Sequence, residues 1–334
     1  LLSIMVRTLL SLLLSYHFCR PFCTRLNSKK EGEAVQLLQS DTSKHSETSL
    51  QIHRPSEDSS QRSSGSAISV DPSPSSSGVG PLLKTEMVDG VAVVTMLGEG
   101  TFPWGTRVLE HRINPSIVAE INKALDEAER NEANSLMLIG EGRFFSNGFD
   151  LQFITANINQ STNIQKETER LLARILGFGM PTVAAINGHA AAAGAMLALA
   201  FDKRVMAGGS AGQFFVPGID IGLVYSQGMT ELMKAKLPQR MWNDVFCMGE
   251  RYKVAQLFQE GVVNLRAPSG EDLYTDALRL ASDLKTKGKD AKTRDTMSRI
   301  KANLYKDALA ALHMETVDMG FANGTFDSTG RAAK

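Results

Sequence analysis

An alternation of short apolar runs with helical patterns, beginning near residue 91, most constrains how this chain can fold. Val91-Ala-Val-Val-Thr-Met96 is a β-branched run between Gly90 and Gly98, which predicts a buried strand. Similar runs that end at turn-forming residues predict further strands at 135–140, 182–186, 203–207 and 213–216. Helical patterns lie between these runs, so strands and helices alternate along the chain. This alternation is typical of α/β proteins.

The helical patterns differ between the middle of the chain and its C-terminal part. Asn114 is a suitable cap for a helix that starts at Pro115, because proline is tolerated in the first turn. Two more helices are predicted at 168–178 and 190–201. Beyond residue 229 the pattern is almost wholly helical, and it predicts helices at 229–237, 240–248, 252–260, 270–287 and 290–318. The sequence therefore predicts an α/β fold with a helical C-terminal region.

Residues 1–30 have the composition of a targeting segment. They contain basic residues but no acidic one, and leucines recur among serines, which is typical of a mitochondrial or plastid transit peptide. A secretory signal is an alternative, because Leu9 to Leu14 could form its apolar region. A third interpretation is untranslated upstream sequence, with Met87 as the true start. The apolar runs are shorter than the ~20 residues that span a bilayer, so no membrane span is predicted.

Residues 31–81 are predicted to be a disordered, Ser-rich linker. The segment is rich in Ser, Glu, Gln and Asp and ends in Asp71-Pro-Ser-Pro-Ser-Ser-Ser-Gly-Val-Gly80. Such a composition buries too little apolar surface to offset the entropy lost on ordering. The folded domain is therefore predicted at 82–334, with a core at about 85–228 and a helical region at about 229–320.

Charge and cysteine content exclude several classes of function. The chain has 36 basic and 36 acidic residues, so no basic excess indicates a nucleic-acid partner. The three cysteines are Cys19, Cys23 and Cys247, which are too few and too scattered for a disulfide framework or a cysteine metal site. This content suits a reducing compartment.

Two glycine-containing turns are the candidate functional segments. The first, residues 142–151, joins a strand to a helix; Gly148 permits an unusual backbone turn and Asp150 can cap the next helix. The second, residues 187–196, also joins a strand to a helix, and its small residues let a ligand approach the backbone closely. One exposed amide from each turn could form an oxyanion hole. The alternative is that the second segment is simply a buried, Ala-rich helix.

The two turns, in this order, resemble those of the crotonase superfamily, the enoyl-CoA hydratases and isomerases. Phe144-Phe-Ser-Asn-Gly-Phe-Asp-Leu151 resembles the family's F-x-x-G-x-D-[LI] loop, with one extra residue before the glycine. Residues 184–198 resemble the A-x-x-N-G-x-A-x-G-G-G segment, with Ala192 and Ala193 in place of two glycines. Residues 215–223 resemble the next active-site strand and loop, and 248–264 resemble a further family segment. The resemblance covers about residues 85–320.

This resemblance implies a fold, a ligand and a set of site residues. The fold is an α/β, crotonase (ClpP-like) ββα spiral with a helical C-terminal trimerisation region, assembled as a homotrimer or a dimer of trimers. The ligand is an acyl-CoA thioester, so CoA enters with the substrate, and no cofactor or metal is implied. The backbone N–H groups of Phe149 and Ala193 would hold the thioester oxygen. The residues implied on the substrate and CoA side are Arg143, Ser146, Asn147, Gly148, Asp150, Gly194 and Gly218.

The chain departs from the family pattern where the catalytic carboxylates are expected. The first glutamate of the hydratases would fall at Met196, which cannot do acid–base chemistry. The second, which isomerases keep as the proton shuttle, would fall at Gly218. Asp220 is the nearest carboxylate in sequence, and in a strand it would point to the same side as residue 218. Asp220 is therefore the candidate base, and a structural role is its alternative.

The resemblance favours a Δ3,Δ2-enoyl-CoA isomerase of fatty-acid β-oxidation, close to the plant and algal peroxisomal type. Another acyl-CoA reaction, thioester hydrolysis or C–C cleavage, is one alternative. A non-catalytic acyl-CoA-binding or assembly homologue is the other, because both glutamates are absent. The expected location is organellar. The N-terminus favours the mitochondrion, and the ending Gly330-Arg-Ala-Ala-Lys334 would become a peroxisomal signal with one added Leu.

Overall fold

The computed structural model describes residues 81–98, 110–209, 212–314 and 319. The predicted targeting segment and nearly all of the predicted linker lie outside these ranges. Within them, the strands in chain order are β1 (Leu83–Val88), β2 (Val91–Met96), β3 (Ser135–Gly140), β4 (Phe144–Ser146), β5 (Thr182–Ile186), β6 (His189–Ala191), β7 (Lys203–Ala207), β8 (Phe214–Phe215) and β9 (Leu265–Ala267).

The helices are longest before β5 and after β9. In chain order they are α1 (Pro115–Arg130), α2 (Leu151–Ala156), α3 (Ser161–Leu176), α4 (Ala193–Ala200), α5 (Gly218–Ile221), α6 (Gln227–Lys236), α7 (Trp242–Phe246), α8 (Val254–Gln259), α9 (Gly270–Asp283), α10 (Ala291–Leu304) and α11 (Lys306–His313). No helix in the described ranges is long and apolar enough to cross a bilayer.

The described strands form two sheets. The larger sheet has the order β1-β2-β3-β5-β7-β9, and the smaller has the order β4-β6-β8. All neighbouring pairs are parallel except β1 and β2, which form an antiparallel hairpin. The hairpin turns at Asp89 and Gly90, whose φ angles are 48° and 77°. Positive φ at both central residues matches the right-handed twist of the paired strands.

Apolar side chains cover both faces of the large sheet. In β2, Ala92, Val94 and Met96 face a core that also contains the buried sides of α1, α3 and α4. The alternate residues Val91 and Val93 face a second core, which α9 covers from the other side. This division follows from the two-residue period of a strand. It also explains why the strand sequences read as continuous apolar runs, as expected for a parallel sheet covered on both faces.

The predicted start of α1 is confirmed. The Asn114 side-chain oxygen accepts hydrogen bonds from the N–H groups of Ser116 and Ile117, both at 3.1 Å, and Pro115 is the first helical residue. The amide nitrogen of Asn114 also donates to the Asp150 carboxylate at 3.3 Å. Asn114 is fully buried, so one side chain caps the helix and fixes the first glycine turn.

Asn114→Ala is expected to lower the free energy of unfolding by about 2 kcal/mol. Loss of the cap costs about 1 kcal/mol, and the buried Asp150 loses a donor as well. Ser269→Ala is the matched control, because Ser269 caps α9 at a more exposed site. Urea unfolding of both variants checks the prediction. An equal loss in the two variants would show that the bond to Asp150 contributes nothing.

Several predicted element boundaries are wrong for tertiary reasons. The predicted helix at 190–201 begins only at Ala193, because residues 189–191 pair as β6 with β4 and β8. The predicted strand at 213–216 shortens to Phe214–Phe215. The predicted helix at 290–318 divides into α10 and α11 at Tyr305. The first difference arises because pairing with distant strands overrides the local helical pattern. Residues 315–318 of the last predicted helix lie outside the described residues.

Candidate functional site

The two glycine turns touch each other directly. Gly148 has a φ of 81°, and a Cβ added there would lie 2.8 Å from the Cβ of Ala192 and 3.1 Å from the nitrogen of Ala193. A side chain at position 148 would therefore push the turns apart. Positive φ and this close approach are both reasons for glycine. The two segments that the sequence singles out are thus one structural unit.

The second turn places the start of α4 against β4. Ala192 has a φ of 50° and a ψ of −125°, a conformation that non-glycine residues rarely adopt. The next residue, Ala193, is the first of α4, so its N–H has no acceptor within the helix. A Cβ added at Gly194 would lie 2.3 Å from the carbonyl oxygen of Ser146, which shows how closely the helix meets the strand.

The first turn is held by a short bridge to Ile113. Ile113 donates to the Gly148 carbonyl at 2.7 Å and accepts from the Asp150 N–H at 2.9 Å. Phe149 is the bridged residue between them, so its own N–H points to the side away from Ile113. Phe149 follows Gly148 directly, and Ala193 lies against Gly148. The N–H groups of these two residues are the pair that the resemblance implies for an oxyanion hole.

A cavity of about 390 Å³ opens beside this contact. Three of its lining residues are polar, namely Arg112, Asn147 and Gln152, and the others are apolar or small. The apolar and small lining residues are Phe149, Leu151, Ala191, Ala192, Phe215, Pro217, Ile221 and Leu223. The predicted residues Phe149 and Asn147 line this cavity. A volume of this size accommodates part of a small organic ligand.

The polar lining residues of the cavity are organised by Glu110, which the sequence analysis did not identify. Its carboxylate accepts from Asn147 Nδ2 at 2.7 Å and from Arg112 Nε at 2.9 Å. The guanidinium of Arg112 also donates to Gln152 Oε1 at 3.3 Å. These bonds hold one cation at the cavity. The only sequence feature that could have drawn attention to this network is the position of Arg112, just before the predicted helix start at Asn114-Pro115.

Ser146 and Asp150 support the first turn and do not line the cavity. The Ser146 hydroxyl donates to the His111 carbonyl at 2.8 Å and accepts from the Gly148 N–H at 3.3 Å. Asp150 caps α2, as predicted, by accepting from the Phe153 N–H at 3.2 Å. Both side chains are buried. They shape the backbone that a ligand would meet.

Arg143 lies outside the cavity lining, on the exposed edge of the small sheet. Its carbonyl accepts from the His189 N–H at 2.9 Å, so it stands beside the strand that leads to the second turn. Burial, and then the charges of Arg143 and Arg251, lower the pKa of His189. The Arg251 guanidinium stacks 4.0 Å from the ring of Phe215. Two arginines thus flank the small sheet near one wall of the cavity.

The strand geometry expected for Gly218 and Asp220 is wrong. Residues 218–221 form α5, a single helical turn. Residues two apart on a helix point about 200° apart, so Asp220 does not share the side of Gly218. The Asp220 side chain is exposed, does not line the cavity, and lies toward Gly249, where an added Cβ would be 3.3 Å from its carboxylate. Its geometry gives no support to a role as base.

The space beside Gly218 is filled by Tyr225. A Cβ added at Gly218 would lie 2.5 Å from the phenolic oxygen and ring of Tyr225. That oxygen accepts from the Gly218 N–H and donates to the Val216 carbonyl, both at 2.8 Å. Met196, at the other expected glutamate position, is buried in the apolar core. Neither position carries a carboxylate, and a side chain at position 218 would require Tyr225 to move.

Comparisons with known proteins agree with this architecture. The family profile described as enoyl-CoA hydratase/isomerase matches residues 109–323. Enoyl-CoA delta isomerase 2, peroxisomal, of Arabidopsis thaliana is 29% identical over 234 residues, which cover 67% of this chain and 92% of that protein. The 2,3-dehydroadipyl-CoA hydratase of Escherichia coli is 30% identical over 174 residues, which cover 52% and 66%.

A solved structure shows the same fold. The apo enoyl-CoA isomerase of Mycobacterium tuberculosis superposes with a TM-score of 0.61 at 23% identity, covering 73% of this chain and 98% of that one. The chain therefore belongs to the enoyl-CoA hydratase/isomerase family, within the crotonase superfamily, and has its fold. The predicted resemblance, including its closeness to plant peroxisomal isomerases, is confirmed.

Proposed function

We propose that this protein binds an acyl-CoA thioester at the two glycine turns and acts as a Δ3,Δ2-enoyl-CoA isomerase. One observation carries the proposal, namely the direct contact of Gly148 with Ala192 and Ala193 beside the cavity. This contact brings together the two backbone segments whose N–H groups would hold a thioester oxygen. The Arabidopsis relative, whose name is that of an isomerase, supports the choice of reaction.

The chemistry follows from the charge that develops on the thioester oxygen. Removing the C2 proton of a 3-enoyl-CoA makes an enolate, and returning a proton at C4 gives the 2-enoyl product. The N–H groups of Phe149 and Ala193 would stabilise the enolate oxygen more strongly than the neutral carbonyl. Such preorganised donors lower the barrier because their interaction is strongest in the transition state. The proposed reaction needs no cofactor, since CoA arrives with the substrate.

A second candidate function rests on the composition of the cavity. Arg112 is the only ionisable side chain among the described lining residues, and a guanidinium keeps its proton at any accessible pH. A proton shift from C2 to C4 needs a base that alternately takes and gives a proton. This observation favours a non-catalytic homologue that binds acyl-CoA without turnover.

An assay on the full chain separates these functions. Trans-3-enoyl-CoA esters of several chain lengths are offered, the 2-enoyl product is followed, and binding is measured by calorimetry. Turnover supports the isomerase, and binding without turnover supports the second candidate. Absence of binding would reject both.

Asp220→Asn is expected to keep the binding and turnover of the wild type. The carboxylate is exposed and lies outside the cavity, so removing its charge leaves the site unchanged. The same assay and calorimetry measure this variant. A loss of turnover with unchanged binding would instead establish Asp220 as the base and require α5 to rearrange when substrate binds.

Assembly and location are further parts of the proposal. We propose a homotrimer or a dimer of trimers, which light scattering of the purified chain would test. We also propose an organellar location, peroxisomal or mitochondrial, and the peroxisomal name of the Arabidopsis relative supports the first. Imaging of separate fusions of the two chain ends would test which organelle receives the protein.

A further inference from the structure

We propose that Tyr225 is a positioning residue that holds the apolar wall of the cavity and thereby sets the affinity for the acyl chain. The inference rests on the proposed binding of acyl-CoA, which it deepens by assigning the acyl part of the ligand to one wall. Tyr225 does not itself line the cavity, so it acts through the backbone that it binds.

The wall in question comes from one short stretch of chain. Phe215, Pro217, Ile221 and Leu223 all line the cavity, and they run from the last residue of β8 to the segment before α6. The stretch contains only the single turn of α5, which is too short to be stable by itself. An external contact must therefore fix its position. The four side chains offer apolar surface, which suits a hydrocarbon chain rather than the polar parts of CoA.

The Tyr225 hydroxyl supplies this contact on both sides of Pro217. It accepts from the Gly218 N–H and donates to the Val216 carbonyl, each at 2.8 Å. Pro217 has no N–H of its own, so these two groups are the polar backbone atoms that flank it. One phenol thus fixes both peptide groups next to a cavity residue. Burial raises the pKa of Tyr225, so the hydroxyl stays protonated and keeps both bonds at neutral pH.

Gly218 is the matching half of this contact. A Cβ at position 218 would lie 2.5 Å from the phenolic oxygen and the ring carbon that bears it, so a side chain there would expel the phenol. Gly218 itself is buried, so an added side chain could not turn to solvent and would compete with the phenol for the same space. The position of the Tyr225 phenol therefore depends on the absence of a side chain at Gly218, and the Gly218 N–H depends on the phenol for its acceptor.

The other side of Tyr225 is anchored as well. The next residue, Ser226, caps α6 by accepting from the Met229 N–H at 3.1 Å. Its hydroxyl also donates to the carboxylate of Glu169, which is buried on α3. The preceding residue, Val224, donates its N–H to the Met319 carbonyl at 3.1 Å. The residues on both sides of Tyr225 are thus anchored, and through them the phenol has a fixed position from which to hold the wall.

Tyr225→Phe tests the positioning role, because it removes both hydrogen bonds and keeps the ring. We expect the affinity for decanoyl-CoA to fall about tenfold, the value of one or two neutral hydrogen bonds, and the affinity for CoA alone to stay unchanged. Tyr274→Phe is the control, since Tyr274 lies on the exposed side of α9. Calorimetry with both ligands measures all three proteins.

The pairing with Gly218 has a test that needs no ligand. Gly218→Ala is expected to lower the melting temperature by roughly 2–10 °C in the wild type and by much less in a Tyr225→Val background. If Gly218→Ala lowered the melting temperature equally in the wild type and in the Tyr225→Val background, the proposed pairing of Gly218 with Tyr225 would be overturned.

The outcomes of the binding experiment separate the two proposals. Equal weakening of decanoyl-CoA and CoA in Tyr225→Phe, or no weakening of either, would overturn the positioning role alone. A wild-type protein that binds neither ligand would overturn the proposed function together with the role of the wall. Selective weakening of decanoyl-CoA supports both.

Discussion

Replacing Gly194 by alanine is expected to weaken acyl-CoA binding and to lower turnover by on the order of 100-fold or more. A methyl group at this position would lie 2.3 Å from the carbonyl oxygen of Ser146 and 2.7 Å from its carbonyl carbon. These are backbone atoms of β4, which cannot swing aside as a flexible side chain can. The start of α4 must therefore move away from β4. This shift would move the N–H of Ala193 relative to that of Phe149, and these are the two groups that we propose hold the thioester oxygen. Loss of one such donor lowers turnover on the order of 100-fold or more.

Gly270→Ala is the matched control for Gly194→Ala. Gly270 is the first residue of α9, and nothing lies within 4 Å of a Cβ added there. The control should bind decanoyl-CoA like the wild type, because it adds the same methyl group to a helix start in open space. Calorimetry, with a melting curve for each variant, makes the comparison. Wild-type affinity in Gly194→Ala would contradict a site built from the two touching turns.

Asp202→Ala should cause the largest loss of stability, about 3–5 kcal/mol. The Asp202 carboxylate accepts from Lys301 Nζ at 2.7 Å, and the Lys301 side chain is only 7% exposed. The carboxylate also accepts from the Thr182 N–H at 2.9 Å. Removing it leaves a buried ammonium group without its counter-charge, which costs more than the pair itself contributes.

Other cations near Asp202 increase the expected effect. Arg204 is buried beside it and donates to the carbonyls of Val262 and Phe201. Burial, and then the charge of Arg204, lowers the pKa of Lys236 to about 7, while Asp202 acts in the opposite direction. Loss of this carboxylate therefore leaves an excess of positive charge in the interior.

Urea unfolding of Asp202→Ala and Glu167→Ala checks this prediction. Glu167 pairs with Arg170 at the same distance of 2.7 Å, but the two side chains are 43% and 54% exposed. Exposed pairs contribute about 0–1 kcal/mol, so Glu167→Ala should change little. Similar losses of unfolding free energy in the two variants would mean that the burial of Lys301 does not make its ion pair with Asp202 more important to stability than an exposed pair.

The sequence predicted the central strands well and the short ones poorly. The runs at 91–96, 135–140, 182–186 and 203–207 became β2, β3, β5 and β7, because buried parallel strands need continuous apolar sequence. The strands β4 and β6 were missed. They have no run of their own, and they exist because they pair with each other and, through β6, with β8.

The candidate site shows the same division. The unusual turn predicted at Gly148 is confirmed by its φ of 81°, whereas the close contact of Gly194 with β4 was not predicted. The predicted orientation of the Asp220 side chain was wrong. It assumed that residues 218–220 form a strand, whereas Gly218–Ile221 forms a helical turn. The Tyr225 phenol also explains why a glutamate introduced at Gly218 alone would find its space occupied. The Glu110–Arg112–Asn147 network carried no recognisable pattern.

The sequence by itself determined the α/β class, the family, and the two glycine turns as the candidate functional segments. Apolar periodicity, helix caps and glycine turns depend on neighbouring residues and can be read along the chain. Only the tertiary structure decided which side chains reach the cavity, because Arg112, Asn147, Phe215 and Pro217 come from distant segments. Their meeting depends on how the two sheets and α4 pack. That packing also turned Asp220 outward and placed Tyr225 beside Gly218.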